Sequence, residues 1–482
     1  MSSSREIAIK ILNNFFKSKK NIDTILSDFF NFSVKNNIKK TDKNLTCELV
    51  YGVIRWQIYI DWLLAKYINF NKTPPNIINI LRITLYQIIY LDKIPNYASC
   101  NEAVKLAKKM YSGTNKHLSN LVNAVIHAFI IDFENNTIWQ IAKIGNAEIN
   151  SSWQITYLSI KYSHPAWLVS RICKQFNIEI AEKILNTNNQ KPNLPIRINT
   201  IKTTFQNVYD TIKSKNIPIV YSTKETNSIV VVESFDVISN SDLWKNSFIC
   251  IQDISSTLCA LLCNPKNDDL IFDLCAAPGG KTMVISELLN NYNKDNMHLS
   301  EVDKLFNLKG KIICNDIDKK RLAITKQNIS KMNYDNIIFS NYDLFEFSKF
   351  LIKENCPKAD IILLDAPCSG LGTIRKNVDI KYIRTEEQIK NRISLQRKML
   401  QKCTEYLKDG GHLIYSVCSF DVFEGENIIN WLLENDTRFQ LEDAKDFISS
   451  EFTKEKFLNT INHFIVGHMN GAFAARLVFN KK

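Results

Sequence analysis

Two cysteines each follow an apolar run that is typical of a buried strand. Cys368 comes just after "ADIILLDAP", and Cys418 comes directly after "HLIYSV", a strand that is predicted to follow a turn at Asp409 to Gly411. Because consecutive strands of an open α/β sheet are usually neighbours, both thiols are expected to face one cleft. A single core cysteine is most often a small apolar side chain, but a thiolate is a strong nucleophile. Lys281 and Arg375 are the candidate cations that would lower a thiol pKa there.

A glycine-bearing turn provides a second candidate site. In "DLCAAPGGKT", a strand is predicted to end at Asp273 and a helix to begin near Thr282. Gly279 and Gly280 would allow the backbone to approach a ligand closely. The segment is not a Walker phosphate loop, because the first glycine of that motif is missing, and it does not match G-x-G-x-x-G.

Four acidic residues lie at predicted strand ends: Asp273, Asp316, Asp343 and Asp365. Open α/β sheets bind ligands outside the carboxyl ends of their strands, and an acid in the position of Asp316 accepts hydrogen bonds from ribose hydroxyls. Together with the Gly-Gly turn, these acids predict a ligand of the nucleoside type.

A thiol beside an adenosine-type ligand suits methylation at carbon 5 of a pyrimidine. That carbon is a poor nucleophile until a thiolate adds to carbon 6, after which carbon 5 can attack a sulfonium methyl group. From the residues alone, either cysteine could be the nucleophile.

These residues require particular elements around them. From about residue 250, short apolar strands alternate with helical stretches, which predicts a parallel sheet covered on both faces. The first 130 or so residues indicate an all-helical region, in which Ser99 and Glu102 form a capping-box signature for one helix start. Residues 150–245 mix helices and strands. There, the basic residues are expected either to contact phosphates or to form a solvated face: Arg171, Lys174 and Arg197.

Composition narrows the class of protein. The 482 residues carry a net charge of +12, which weakly favours a nucleic-acid partner. No apolar run approaches the length of a membrane span. The twelve cysteines include no C-x-x-C pair, so a zinc ribbon is not expected. The N-terminus has the pattern of a first domain helix rather than a transit peptide, and free thiols in the cytoplasm are predicted.

Several motifs together resemble the RsmB (Sun/Fmu) family of bacterial rRNA cytosine-C5 methyltransferases. The similar segments are "DLCAAPGGKT", "DAPCSGLGTIRKNVDIKY", "YSVCS", "LVYGVIR", "LRITLYQIIYLDKIPNYASCNEAVKLAKK", "LVNAVI", "HPAWLVSR", "IRINTIKT" and "HMNGAFAARL". The match runs from about Arg5 to Leu477, which leaves no room for a cleaved leader. It implies an N-terminal all-α NusB-like bundle (1–140), a small α+β middle domain (141–245) and a C-terminal α/β class I (Rossmann-like) methyltransferase domain (246–482).

The resemblance also implies residue roles. Cys418 would be the nucleophile and Cys368 would assist product release. Asp316 would hold the ribose of S-adenosylmethionine, Asp343 would contact its adenine end, and Asp365 would lie between cofactor and target base. The methionine side of the cofactor would be lined by Cys275, Ala276, Ala277, Pro278, Gly279, Gly280 and Lys281. The implied substrate is small-subunit ribosomal RNA, and a monomer without metal or membrane attachment is expected.

Three features depart from the family pattern. Val417 replaces the usual threonine before the nucleophile, Val378 replaces a common proline, and residues 290–309 are longer than usual. None of these removes a reacting group. Two alternatives stay open: a non-catalytic RNA-binding assembly factor with the same fold, and a methyltransferase that acts on uracil or on DNA.

Overall fold

The computed structural model describes residues 3–32, 38–111, 116–135, 152–232, 235–293, 310–332, 334 and 336–481. The chain divides into two compact units. The first comprises residues 1–189 and 376–386, and the second comprises residues 190–375 and 387–482.

The helices in chain order are α1 (Ser4–Ser18), α2 (Ile22–Phe32), α3 (Lys40–Leu64), α4 (Pro75–Tyr90), α5 (Asn96–Met110), α6 (Lys116–Glu134), α7 (Ser152–Lys161), α8 (Ala166–Gln175), α9 (Ile178–Asn189), α10 (Phe205–Ser214), α11 (Phe235–Ser239), α12 (Asp242–Lys245), α13 (Ile254–Leu261), α14 (Gly280–Asn293), α15 (Lys319–Ser330), α16 (Ser348–Lys353), α17 (Ile380–Ile383), α18 (Glu386–Cys403), α19 (Glu426–Asn435) and α20 (Ile461–Ile465). Short 3₁₀ turns lie at Leu344–Glu346, Leu371–Thr373, Ala444–Asp446 and Ser450–Phe452.

The strands are β1 (Leu194–Ile198), β2 (Ile219–Thr223), β3 (Ser228–Val231), β4 (Ile249–Ile251), β5 (Ile271–Asp273), β6 (Ile312–Asn315), β7 (Ile337–Ser340), β8 (Ala359–Asp365), β9 (Leu407–Val417), β10 (Phe439–Leu441), β11 (Thr453–Lys454), β12 (Phe457–Asn459) and β13 (Phe473–Phe479).

Helices alone form the first unit within its described residues. Helix α1 begins where the Ser3 hydroxyl accepts a hydrogen bond from the backbone N–H of Glu6, and its apolar face is buried, as the 3.6-residue spacing predicts. Helix α4 begins with Pro75. Proline suits the first position of a helix because a backbone N–H there would have no partner within the helix. The capping-box prediction is wrong: α5 already begins at Asn96, so Ser99 lies inside the helix. Gly113, which the sequence predicts as the C-terminal cap of the same helix, lies outside the described residues.

One segment from late in the chain, residues 376–386, belongs to this helical unit. Val378 is fully buried in the same apolar core as helices α1 to α6. The Asp379 carboxylate accepts hydrogen bonds from the backbone N–H of Ile22 and from the side chain of Asn21, at the start of α2.

Lys381 of this segment is buried, with 1% of its surface exposed. Its ammonium donates to the backbone carbonyls of Arg55 and Ser163, each at 2.7 Å, and to Asn189 Oδ1 at 3.3 Å. Helix α3 leaves helical geometry at Trp56, one residue after Arg55. Lys381 therefore supplies a donor where the helix interrupts its own hydrogen bonding.

Two sheets form the strand framework of the second unit. The smaller has the order β2-β3-β1-β4 and is antiparallel throughout. The larger has the order β11-β12-β13-β9-β8-β5-β6-β7, with β10 paired to β13. Strands β7, β6, β5, β8 and β9 are parallel, and β13 runs antiparallel to β9.

Both faces of the parallel strands are buried. Along β9, Leu413 and Tyr415 belong to the core on one face, while Ile414 belongs to the core on the other. Successive residues of a strand point to opposite faces, so a doubly covered strand needs an unbroken apolar run. The predicted parallel α/β sheet is confirmed, and antiparallel strands extend it at one side.

Two further local predictions are corrected. The turn predicted at Asp409 to Gly411 is absent, because these residues lie within β9, where Gly410 takes a positive φ of 73° and the pairing with β8 shifts register. Arg197 is neither solvated nor placed for phosphates. It is 1% exposed and donates to Glu287 and Gln252 beside a cavity of about 80 Å³.

No helix in the described ranges is both long enough and apolar enough to cross a membrane.

Candidate active site

The turn between β5 and α14 brings backbone and side chains to the carboxyl end of the sheet. Gly279 has a positive φ of 95°, and a Cβ built there would lie 2.7 Å from Thr325 Cγ2, so glycine is required. The peptide bond before Pro278 is cis. Strand β5 ends at Asp273 as predicted, and α14 begins at Gly280, two residues before the predicted start.

Asp273 lies buried beneath this turn. Its carboxylate accepts a hydrogen bond of 2.7 Å from the Thr282 hydroxyl. Burial raises the pKa of Asp273 to about 7, and the negative charge of Asp365 adds to the rise. Asp273 thus supports the start of α14 from below.

Asp316 connects the end of β6 to the same turn. One carboxylate oxygen accepts from the backbone N–H of Ala277 at 3.1 Å, and the other accepts from the N–H of Asp318 at 2.9 Å. Arg321 donates to the carbonyl of Ala277 at 2.5 Å. Each carboxylate oxygen has a further lone pair, which is the kind of acceptor that a pair of ribose hydroxyls needs.

Asp343 follows β7 and caps the next turn. Its side chain accepts from the backbone N–H of Phe345 at 3.0 Å. It therefore stands after the strand that neighbours β6, as the order of the sheet requires.

The two thiols meet past the ends of neighbouring strands. Cys368 lies three residues beyond β8 and Cys418 directly beyond β9, and their Sγ atoms are 3.2 Å apart. The two thiols therefore lie side by side, as the order of the strands predicts. All twelve cysteines are free.

The environment distinguishes the two sulfurs. A hydrogen bond from the Cys368 S–H lowers the pKa of Cys418, against burial and the charge of Asp365, and the charge of Lys281 lowers it further. The same hydrogen bond and burial raise the pKa of Cys368 well above its ordinary value. Cys418 is thus the more acidic thiol of the pair.

Lys281 forms an ion pair with Asp365 close to the thiols. Its ammonium donates to Asp365 Oδ2 at 2.7 Å, and the other oxygen of Asp365 accepts from the Ser416 hydroxyl at 2.7 Å. Burial alone would lower the pKa of Lys281, but Asp365 and the nearby thiols raise it above its ordinary value, so the side chain is charged. Arg375 does not share this role, because it donates to the backbone carbonyls of Gly467 and Met469.

One group beneath the thiols is not predicted by the sequence analysis. Glu424 is fully buried and accepts hydrogen bonds from the backbone N–H and hydroxyl of Ser369. The available signal is the repetition of Cys-Ser, at residues 368–369 and 418–419, each time at a strand end. The sequence does not indicate that Glu424 contacts the serine of either segment.

Among the residues that the structure describes, no group of three or more His, Cys, Asp and Glu side chains could hold a metal ion.

Comparisons with known proteins agree with this architecture. Residues 260–478 match the family described as 16S rRNA methyltransferase RsmB/F, residues 2–130 match the NusB family, and residues 164–238 match the RsmF/B-like ferredoxin-like domain.

Curated relatives match along nearly the whole chain. The probable ribosomal RNA small subunit methyltransferase B of Bacillus subtilis (strain 168) is 28% identical over 441 residues, which is 91% of this chain and 90% of the relative. The ribosomal RNA small subunit methyltransferase B of Proteus mirabilis (strain HI4320) is 28% identical and covers 86% of this chain and 87% of its own.

Solved structures share the fold. The crystal structure of PH0851 covers 100% of this chain and 99% of its own, with a TM-score of 0.71 at 21% identity. A methyltransferase homologue from Pyrococcus horikoshii covers 68% of this chain and 100% of its own, with a TM-score of 0.52 at 26% identity.

A parallel sheet with an antiparallel β13 at its side and a glycine turn after its central strand defines the class of methyltransferase folds. With the NusB and ferredoxin-like matches in their expected order before it, the region of residues 260–478 belongs to the RsmB/F family of 16S rRNA methyltransferases.

Proposed function

We propose that the protein transfers a methyl group from S-adenosylmethionine to carbon 5 of a cytosine in small-subunit ribosomal RNA, through a covalent bond between Cys418 and carbon 6. The observation that carries this proposal is the 3.2 Å separation of the Cys368 and Cys418 sulfurs. The names of the curated relatives support small-subunit ribosomal RNA as the substrate.

The residues present suit this cofactor. The backbone of residues 275–281 would line its methionine part, Asp316 would accept from the ribose hydroxyls, and Asp343 would stand at the adenine end. Glycine is required at position 279 because the turn lies directly against Thr325 of α15. When bound, S-adenosylmethionine supplies an electrophilic methyl group on a sulfonium.

Cys418 begins the reaction as a thiolate. Its sulfur forms a bond to carbon 6, and the electrons of the carbon 5–carbon 6 double bond move to carbon 5. Carbon 5 then takes the methyl group, whose former bonding pair stays on the departing sulfur. Removal of the carbon 5 proton by a base restores the double bond and expels Cys418 as a thiolate.

Cys368 and Asp365 serve the same cycle. The S–H of Cys368 stabilises the Cys418 thiolate before attack and again at departure, which supports a role in product release. Asp365 is held by Lys281 and Ser416 and retains lone pairs for the polar edge of the cytosine. The target base must be single-stranded or unstacked to reach these groups.

Cysteine variants test the assignment of the nucleophile. Cys418→Ala is expected to abolish methyl transfer from labelled S-adenosylmethionine to small-subunit rRNA, while binding of the cofactor persists. Cys356→Ala is the matched control, because that thiol bonds to the backbone carbonyl of Pro357 and takes no part in the site. Full activity in Cys418→Ala would contradict the covalent scheme.

The same assay tests the role of Cys368. Cys368→Ala is expected to accumulate a covalent protein–RNA adduct, seen as a retarded band on a denaturing gel, because departure of Cys418 is impaired. The double variant with Cys418→Ala should show no such band. A Cys368→Ala protein without any adduct would remove its role in release.

Other substrates give distinct results. Bisulfite sequencing of rRNA from a deletion strain and its parent would locate a lost 5-methylcytosine. Methylation of uracil or DNA by the wild-type protein would favour a different pyrimidine methyltransferase, and an inactive wild-type protein that binds rRNA would favour the assembly factor.

A further inference from the structure

The two thiol-bearing loops share one buried support. Each reactive cysteine is followed by a serine, and both Ser369 and Ser419 are fully buried. Their hydroxyl oxygens lie 3.2 Å apart, the same separation as the two sulfurs. The serines thus form a second pair of side chains beneath the thiols, from the same two strand ends.

Glu424 binds this pair from below. Its Oε1 accepts from the backbone N–H of Ser369 at 2.8 Å, and its Oε2 accepts from the Ser369 hydroxyl. The Ser419 hydroxyl lies 3.2 Å from the Ser369 hydroxyl and helps to lower the pKa of Glu424. Gln396 of α18 donates to Oε1 at 3.2 Å.

The position of Glu424 itself is fixed by the main chain. Its N–H donates to the carbonyl of Asp421 at 3.0 Å, and its own carbonyl accepts from the Tyr415 hydroxyl at 2.7 Å. Tyr415 is fully buried within β9. The main chain of Glu424 is therefore linked to β9 through Tyr415 and to the loop that carries Cys418 through Asp421.

Burial of this acid has an energetic cost. Burial raises the pKa of Glu424, and the hydrogen bonds from the two serines oppose that rise. A buried carboxylate is tolerated only where hydrogen bonds compensate for lost hydration. Here the direct donors from the cysteine loops are the N–H and hydroxyl of Ser369, and the Ser419 hydroxyl of the other loop lies against the Ser369 hydroxyl, so the full set of contacts needs both loops in place.

We propose that Glu424 is a positioning residue that holds the Cys368 and Cys418 loops together, and so keeps the Cys368 S–H directed at the Cys418 sulfur. This role rests on the proposed function for its effect on activity, but its effect on the thiols can be measured without RNA or methyl donor.

The charge of Glu424 and its positioning role are expected to shift the pKa of Cys418 in opposite directions, so the two effects can be distinguished. The groups that act on the Cys418 sulfur are Cys368, Asp365, Lys281 and Glu424, with Cys259 on α13 nearby. The negative charge of Glu424 raises the pKa of Cys418, so removal of the charge alone would lower it. Loss of the Cys368 hydrogen bond, the largest influence, would raise it.

The test is the pH profile of Cys418 alkylation by iodoacetamide, read by mass spectrometry in the full chain. Glu424→Ala removes both support and charge and is expected to shift the profile to higher pH. Glu424→Gln removes the charge but keeps a carbonyl acceptor, so its profile should stay at or below the wild-type pH. Glu426→Ala is the control, since that acid pairs instead with Lys454 and Asn459.

A milder pair of changes covers the case in which Glu424→Ala fails to fold. Ser369→Ala with Ser419→Ala removes both hydroxyls while Glu424 remains, and it should shift the alkylation profile upward as well. In active preparations, Glu424→Ala should lower kcat by roughly tenfold to a hundredfold with KM for rRNA unchanged, because a small misplacement acts on the reacting atoms.

Two results would overturn the proposal: equal downward shifts in Glu424→Ala and Glu424→Gln, or a wild-type profile in the serine double variant. Neither result bears on whether Cys418 is the nucleophile, which depends on methyl transfer by Cys418→Ala.

Discussion

Cys418 illustrates how far residue types alone can lead. Apolar runs and spacing predict that the two strand-end cysteines lie together, and the structure brings their sulfurs to 3.2 Å. The residues alone do not distinguish the two thiols, because the difference between their pKa values comes from the hydrogen bond between them and from the charge of Lys281. Such contacts join positions 50 and more residues apart and have no local pattern.

Lys281 is expected to control the protonation of Cys418. Lys281→Met removes a positive charge that lowers the pKa of Cys418 and leaves Asp365 without its ion-pair partner, so both changes raise that pKa. Alkylation of Cys418 should then require higher pH. Near neutral pH the reaction should be about tenfold slower for a pKa that is higher by one.

The measurement is again the pH dependence of alkylation in the cofactor-free protein. Lys266→Met, a change to an exposed lysine of the same unit, is the control. An unshifted profile in Lys281→Met would mean that Lys281 does not lower the pKa of Cys418.

At the scale of elements, apolar runs predict the strands of the parallel sheet well, since burial on both faces leaves little choice of side chain. Local signals near glycine and serine are less decisive. Asp409 to Gly411 lie within β9 rather than in a turn, and Ser99 lies inside α5. In both places, pairing or packing with a distant element determines the structure, which a short window cannot reveal.

The turn after β5 can be tested by comparing a change at Gly279 with the same change at Gly410. Gly279→Ala and Gly410→Ala each place a side chain at a positive φ, but a Cβ at Gly279 meets Thr325 at 2.7 Å while a Cβ at Gly410 meets nothing within 4 Å. Both changes should cost about 1 kcal/mol or more of stability. Only Gly279→Ala should also weaken S-adenosylmethionine binding, by roughly tenfold or more.

Calorimetric titration with S-adenosylmethionine would measure this difference. Equal affinity in the two variants would mean that the turn after β5 does not hold the cofactor.

At the scale of the whole molecule, the family resemblance leads to the NusB-like and methyltransferase regions, and the division into domains at residues 140 and 245 stays a prediction. The assignment of residues 376–386 to the helical unit does not follow from the sequence. The segment includes the last seven residues of the motif "DAPCSGLGTIRKNVDIKY", and it has no feature that indicates a core formed by the start of the chain.

Lys381 should matter for the stability of the first unit. Lys381→Met leaves the carbonyls of Arg55 and Ser163 buried without that donor, at a cost of about 1 to 3 kcal/mol each. Amide hydrogen exchange should therefore become faster in α3 near Trp56. Lys376→Met, at an exposed position of the same segment, should leave exchange there unchanged, and equal protection in both variants would argue against a stabilising role for Lys381.

Residues 376–386 also limit where the chain can be cut into separate units. A cut after residue 189 would give one fragment that lacks Val378 and Lys381 from its interior, and another that carries both side chains with nowhere to bury them. Neither half then holds a complete set of the side chains that its own interior needs. A truncation that separates the two units would therefore have to keep residues 376–386 with the first unit.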